Sequence, residues 1–138
     1  MRHPWTQLYV HLVWSTWKRA PLITPELQPR VYAAIQHQAS ELGVDVIAIG
    51  GIEDHVHVVA RLPATIAPAS LVQQRLKGAS SHFVTHVLKW PEAFKWQGGY
   101  GAFTLTKRAV PHVRQYVLNQ EAHHRDGTLY RELERTET

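Results

Sequence analysis

The order in which strand-like and helix-like periodicities alternate constrains this chain more than any single residue. Residues 8–14 (Leu-Tyr-Val-His-Leu-Val-Trp) are rich in β-branched and aromatic side chains and read as a strand. After a basic loop, Lys18-Arg19-Ala20-Pro21, a helix is expected to begin near Thr24-Pro25 or Gln28-Pro29. It buries Val31, Ile35, Ala39 and Leu42 and stops at Gly43. Residues 44–49 and 54–62 then form two strand-like runs with only Gly50-Gly51 and two further residues between them, where a turn or a bulge is expected. A second helix is expected over about residues 68–88, burying Val72, Leu76, Ala79, Phe83 and Val87 and ending before Trp90-Pro91. A fourth strand covers residues 100–106. A last long helix begins near Pro111, buries Val113 and Val117, and runs to about His124. The charged tail from Asp126 onward is expected to be loosely ordered.

This order is β-α-β-β-α-β plus a C-terminal helix, an α+β, ferredoxin-like arrangement in one domain spanning residues 1–138. It predicts an antiparallel sheet with helices packed on one face and the first and third strands at its centre. The final helix is then free to cross the open face. A chain of 138 residues supports one core but not two. It has no cysteine, so disulfides and thiolate metal sites are excluded, and a metal would need His, Asp, Glu, Asn or Gln ligands. The start, Met1-Arg2-His3-Pro4-Trp5, lacks a signal-peptide pattern, and no apolar run approaches the roughly 20 residues of a membrane span. The chain is therefore read as intracellular. A formal charge of +4 agrees with a nucleic-acid partner without demanding one.

Two short elements carry the chemistry. In Asp54-His55-Val56-His57-Val58-Val59, residues two apart in a strand share a face, so His55 and His57 project together. In Tyr116-Val117-Leu118-Asn119-Gln120, helical spacing puts Tyr116 and Gln120 on one face, toward the polar flank with His112. Two imidazoles and an amide oxygen could hold one cation, with a phenol beside it. Free phenol has pKa about 10, so only ~0.1% is phenolate at pH 7, a deficit of about 4 kcal/mol that a nearby cation or base must offset. The metal pair and the tyrosine are thus persuasive only together.

Blander readings exist for each element. Ten histidines make one His-x-His spacing unsurprising, and a helical tyrosine is more often a core-edge residue. A histidine-triad nucleotide hydrolase would need a third histidine at position 59, which is Val59, so that reading fails. His82 and His86 form a rival pair at i, i+4, read as solvated or phosphate-facing. One of His123-His124, a turn after Gln120, could approach the metal. Lys18, Arg19, Arg75, Lys77, Lys89, Lys107 and Arg108 are the basic residues suited to a phosphate backbone, with Trp14, Trp17, Trp96 and Tyr100 as candidate platforms for unpaired bases.

Taken together, these residues resemble the single-tyrosine HUH transposases (IS200-like), whose His-hydrophobe-His motif matches His55-Val56-His57. The resemblance spans nearly the whole chain. Tyr9-Val10-His11-Leu12-Val13-Trp14 with Lys18-Arg19 is similar to the family's first strand and basic loop, and residues 75–81 to its second-helix signature. Residues 96–103, Asn119-Gln120 and His123-His124 resemble especially the branch associated with repetitive extragenic palindromes (REPs). Glu53 stands where Pro would be expected.

The resemblance implies a metal-dependent transposase that cleaves and rejoins single-stranded DNA near hairpins. His55, His57 and Gln120 would bind Mg²⁺ or Mn²⁺, and Tyr116 would form a 5′-phosphotyrosine, releasing a free 3′-OH. Lys18, Arg19, Arg75, Lys77, Lys107 and Arg108 would contact the DNA. A homodimer with shared active sites is a further expectation. Two alternatives remain at this point: a non-catalytic single-stranded nucleic-acid-binding module on the same fold, and a metal-dependent hydrolase of small phosphates.

Overall fold

A computed structural model describes residues 3–138; Met1 and Arg2, part of the start read as carrying no signal peptide, lie outside the described residues. Four strands, β1 (Leu8–Ser15), β2 (Asp45–Ile52), β3 (His55–Leu62) and β4 (Gly101–Leu105), form one antiparallel sheet in the order β2-β3-β1-β4. β1 and β3 are therefore central, as the ferredoxin-like order requires. Alternation along them sorts their side chains cleanly. Leu12, Trp14, Val56, Val58 and Ala60 face the main core, which is covered by α1 (Gln28–Glu41) and α2 (residues 70–87). His55, His57, Val59 and His11 face the other way. There α3 (Val110–Leu118) and α4 (Gln120–Asp126) lie over the sheet, and Val113, Tyr116 and Val117 pack on Ala48 and Val59.

Several sequence-based expectations need correction. Gly50-Gly51 form neither the turn nor the bulge. They pair with His57 and Val56 inside β2, the turn falls at Glu53-Asp54, and the register shifts between Val46 and Ala48. Gly50 is glycine because α3 lies against it: a Cβ there would meet the Val117 carbonyl oxygen at 2.1 Å. The buried stripe of α2 is Leu71, Val72, Leu76, Ser80 and Val84, while Val87 is exposed. The helix is π-wound over Ser70–Leu76 and Phe83–Val87, and this wider winding rotates the face away from the 3.6-residue period used to place it. The last long helix is broken at Asn119 (φ −106°, ψ 28°), and this break separates α3 from α4.

The tail is packed rather than loose. Gly127, in the left-handed region at φ 69°, ends α4. Tyr130 then stacks on Tyr116 with ring centroids 4.2 Å apart, and its hydroxyl meets His112 Nε2 at 3.0 Å. A short 3₁₀ turn, Arg131–Glu134, carries the chain back over the sheet beside β1 and β4. Gly101 admits this crossing, since a Cβ there would meet the Arg135 carbonyl oxygen at 1.9 Å.

Candidate active site

The mid-sheet histidines, α3, α4 and the returning tail converge at one point. His55 and His57 are essentially inaccessible to solvent, and their rings lie 4.9 Å apart. The break at Asn119 starts α4 with the buried Gln120. Its Oε1 lies 3.2 Å from His55 Nε2 and 3.0 Å from His124 Nε2, while the two imidazole nitrogens are themselves 3.2 Å apart. Tyr116 sits beside His57 (centroids 6.0 Å) and is 1% exposed, so it belongs to the core side of α3 rather than to a polar flank.

Glu134 closes the cluster. One carboxylate oxygen is 3.1 Å from His55 Nε2, the other is 3.0 Å from His57 Nε2, and that second oxygen accepts the Tyr116 hydroxyl at 2.5 Å. The carboxylate therefore bridges both histidines and the phenol.

Each histidine has a partner behind it. His55 Nδ1 meets Asp54 Oδ1 at 2.7 Å, and His57 Nδ1 meets His11 Nε2 at 2.8 Å. The charges follow from these contacts. Burial would lower His55, but Asp54 and Glu134 raise it to about 9, so it is an imidazolium beside two carboxylates. Burial and the His57 ring press His11 down to about 3, which keeps it neutral. His57 is lowered too, chiefly by burial. Burial would raise Glu134, yet the close approach of His55 and His57 holds it far below the usual carboxylate range. Tyr116 is pushed up to about 12, first by burial and then by its bond to Glu134.

Several of these atoms are arranged to suit a cation. Ligands about 2.1 Å from one octahedral divalent ion lie roughly 3 Å from one another, which is the spacing among His55 Nε2, His124 Nε2 and Gln120 Oε1. Among the described residues, His55, His124 and Glu134 each offer a ligand atom, all within 4.8 Å of one another. His57 Nε2 is buried and makes no hydrogen bond among the described residues, although Glu134 lies 3.0 Å from it. His57 lies outside that compact group of three and approaches it through Glu134, but a buried imidazole nitrogen without a hydrogen-bond partner is an atom a metal would satisfy. The residues present fit a divalent ion.

The chain matches the sequence family described as IS200-like transposase over residues 5–120. The chain belongs to that family. No curated protein matches this IS200-like chain in sequence. Its fold is similar to that of a candidate transposase from Deinococcus radiodurans R1, with a TM-score of 0.66 and 25% identity over 87% of this chain and 95% of that one. It is also similar to a REP-associated tyrosine transposase solved bound to a REP hairpin, with a TM-score of 0.62 and 16% identity over 94% of this chain and 74% of that one.

Other residues singled out from the sequence fare unevenly. His124 joins the cluster; His123 instead bonds Thr128. Lys18 and Arg19 are exposed in a turn where both adopt positive φ (54° and 52°). Thr16, whose hydroxyl donates to the Ala20 carbonyl, and Gln97, whose Oε1 accepts the Lys18 N–H, hold that turn. Arg75, Lys107 and Arg108 are exposed.

Lys77 corrects its assignment as a DNA contact. It is buried, and its Nζ donates to Gln73 Oε1, the Gln97 carbonyl and the Gly99 carbonyl at 2.6–2.8 Å, tying α2 to the loop before β4. Trp14 and Trp96 are also core residues, not base platforms, and Trp96 Nε1 donates to Ser80 Oγ. Trp17 remains exposed beneath Lys95, 3.9 Å from its ring centre.

Two members of the cluster were missed. Glu134 sits in a charged tail where nothing local separates it from Glu132. His11 is a lone polar residue on the His55–His57 parity of an apolar strand, which is a usable but weak signal.

Proposed function

We propose that this chain is a metal-dependent single-stranded DNA strand-transferase that works through a 5′-phosphotyrosine. The observation that carries the reading is the Tyr116 hydroxyl on the same carboxylate that touches both His55 and His57. A carboxylate presents two oxygens much as a phosphate does, so the group bridging those side chains marks where a scissile phosphate would sit.

In this reading His55, His57 and Gln120 hold Mg²⁺ or Mn²⁺, with His124 within reach. The ion, once bound, polarises the phosphate and stabilises charge on the leaving oxygen. Tyr116, fixed by its stack on Tyr130 and by α3, aims its oxygen at the phosphorus. The phenolic proton passes to solvent, the new Tyr–phosphate bond forms, and the bond to the 3′ oxygen breaks, that oxygen taking up a proton as a free 3′-OH. Another 3′-OH reverses the step on a second strand, so no nucleotide cofactor is required.

Lys18, Arg19, Arg75, Lys107 and Arg108 supply phosphate contacts, and Trp17 a stacking face. A hairpin partner is suggested by the REP hairpin held by the structural relative. The cluster described above is assembled within one chain, so sharing between two copies is not needed to form it.

One observation favours the non-catalytic reading: Glu134 already occupies the point between His55, His57 and Tyr116 where this reading would seat the phosphate. A single experiment separates the two. A labelled single-stranded hairpin oligonucleotide is incubated with Mn²⁺ and the full chain, then run on a denaturing gel. Covalent adduct is expected from the wild type or from Glu134→Ala, and none from Tyr116→Phe, which should still bind the hairpin. Undiminished adduct from Tyr116→Phe sinks the nucleophile assignment, and none from either active form leaves only binding.

A further inference from the structure

We infer that His11 is the positioning residue for His57, accepting the His57 Nδ1–H so that His57 turns a bare Nε2 toward the cation. The inference rests on the metal site proposed above and adds a residue to it. His11 is fully buried on β1, one residue pair diagonally from His57: Val13 is the register partner of His57, and His11 lies two positions along the same face. The two rings are nearly parallel, 14° apart with centroids 4.9 Å apart. His11 Nε2 and His57 Nδ1 meet at 2.8 Å, as an in-plane hydrogen bond between imidazoles requires. Phe103 packs against the His11 ring, with centroids 5.8 Å apart, and the β1–β4 pairing holds it from the other side.

A single bond between two imidazoles can run in either direction, and the direction decides what His57 can do. If His11 Nε2 carries the proton, His57 accepts it at Nδ1 and must carry its own proton on Nε2, facing Glu134. If His57 Nδ1 carries the proton, His57 Nε2 is bare and can ligate, and His11 must hold its proton on Nδ1. That Nδ1 is buried and has no hydrogen-bond partner among the described residues, so the ligating arrangement leaves a donor unmet in the sheet. His55 has no such choice, because Asp54, a carboxylate, can only accept and fixes its Nδ1–H. The two ligands are thus unequally prepared. His55 is set by a carboxylate, and His57 is set by a neutral ring whose proton must shift when a cation arrives. Ligand-orienting partners of this kind usually matter 10–100-fold in metal affinity.

The test uses the full chain and Mn²⁺ alone, with affinity read by titration calorimetry and folding by thermal melting without metal. His11→Leu is expected to weaken Mn²⁺ binding about 10–100-fold. His11→Gln, whose side-chain oxygen can accept the same proton, is expected to stay within a few-fold of wild type. In the Mg²⁺-loaded wild type, nitrogen NMR of the rings is expected to find the proton on Nδ1 of both His57 and His11. Undiminished Mn²⁺ binding by His11→Leu, equal losses in both variants, or a proton on His11 Nε2 in the loaded protein would each overturn the inference. Failure of the wild type to bind Mn²⁺ overturns the underlying metal site as well. If His11→Leu does not fold, the ring NMR and His11→Gln still decide the question.

Discussion

Replacing Glu134 with alanine should speed covalent adduct formation, and the structure sets the size of the effect. Before a phosphate can enter, the Tyr116 hydroxyl must leave a carboxylate at 2.5 Å, and both histidine Nε2 atoms must give up contacts of 3.0 and 3.1 Å. A hydrogen bond to a charged partner contributes about 1.5–3 kcal/mol net. Removing that one bond from the ground state corresponds to roughly 10–150-fold in rate. A second contribution has the same sign. Tyr116 is held up at about 12, two units above a free phenol, which makes its phenolate about a hundredfold scarcer. Burial is the largest single cause of that shift, so losing Glu134 restores only part of it. An increase on the order of tenfold or more is therefore expected. The assay is the initial rate of adduct on a labelled hairpin oligonucleotide with Mn²⁺. Glu132→Ala, on an exposed residue of the same turn, serves as the control. Glu134→Gln, neutral but of the same shape, should fall between wild type and alanine. The opposite sign refutes the reasoning. If Glu134→Ala loses both adduct and Mn²⁺ affinity, the carboxylate is a ligand the site requires, not an occupant the substrate displaces.

His55 is raised to about 9, so a cation must displace a proton from it. Mn²⁺ affinity should then climb by up to tenfold per pH unit between about pH 6.5 and 8.5, with proton release visible by calorimetry in buffers of different ionisation heat; a flat profile contradicts this. Lys77→Met should lower the melting temperature by several degrees, since three acceptors lose an ammonium worth roughly 1–3 kcal/mol. Lys18→Ala should leave melting unchanged but weaken hairpin binding and reduce its salt slope by about one; the reverse pattern would exchange the two roles.

The sequence by itself determined the sheet and half of the site. Strand parity put His55 and His57 on one face opposite Val56 and Val58, because a two-residue period is a local property of extended backbone. The alternation of helix and strand periods likewise implied that β1 and β3 are central, so that face had to be mid-sheet. Helical spacing joined Tyr116 to Gln120, although it put Tyr116 on the wrong side of the buried stripe. The breaks and windings were not legible. The interruption at Asn119 and the π turns of α2 arise where packing overrides a period averaged over the whole helix.

Only the tertiary structure decided who else stands at the centre. Lys77 and Lys18 look alike as sequence, and burial under the loop before β4 is what separates them. Glu134 reaches His55 from 79 positions away, through a turn at Gly127, a stack of two tyrosines and a crossing that Gly101 leaves open. Convergence of that kind depends on long-range packing, and no local pattern of residues encodes it.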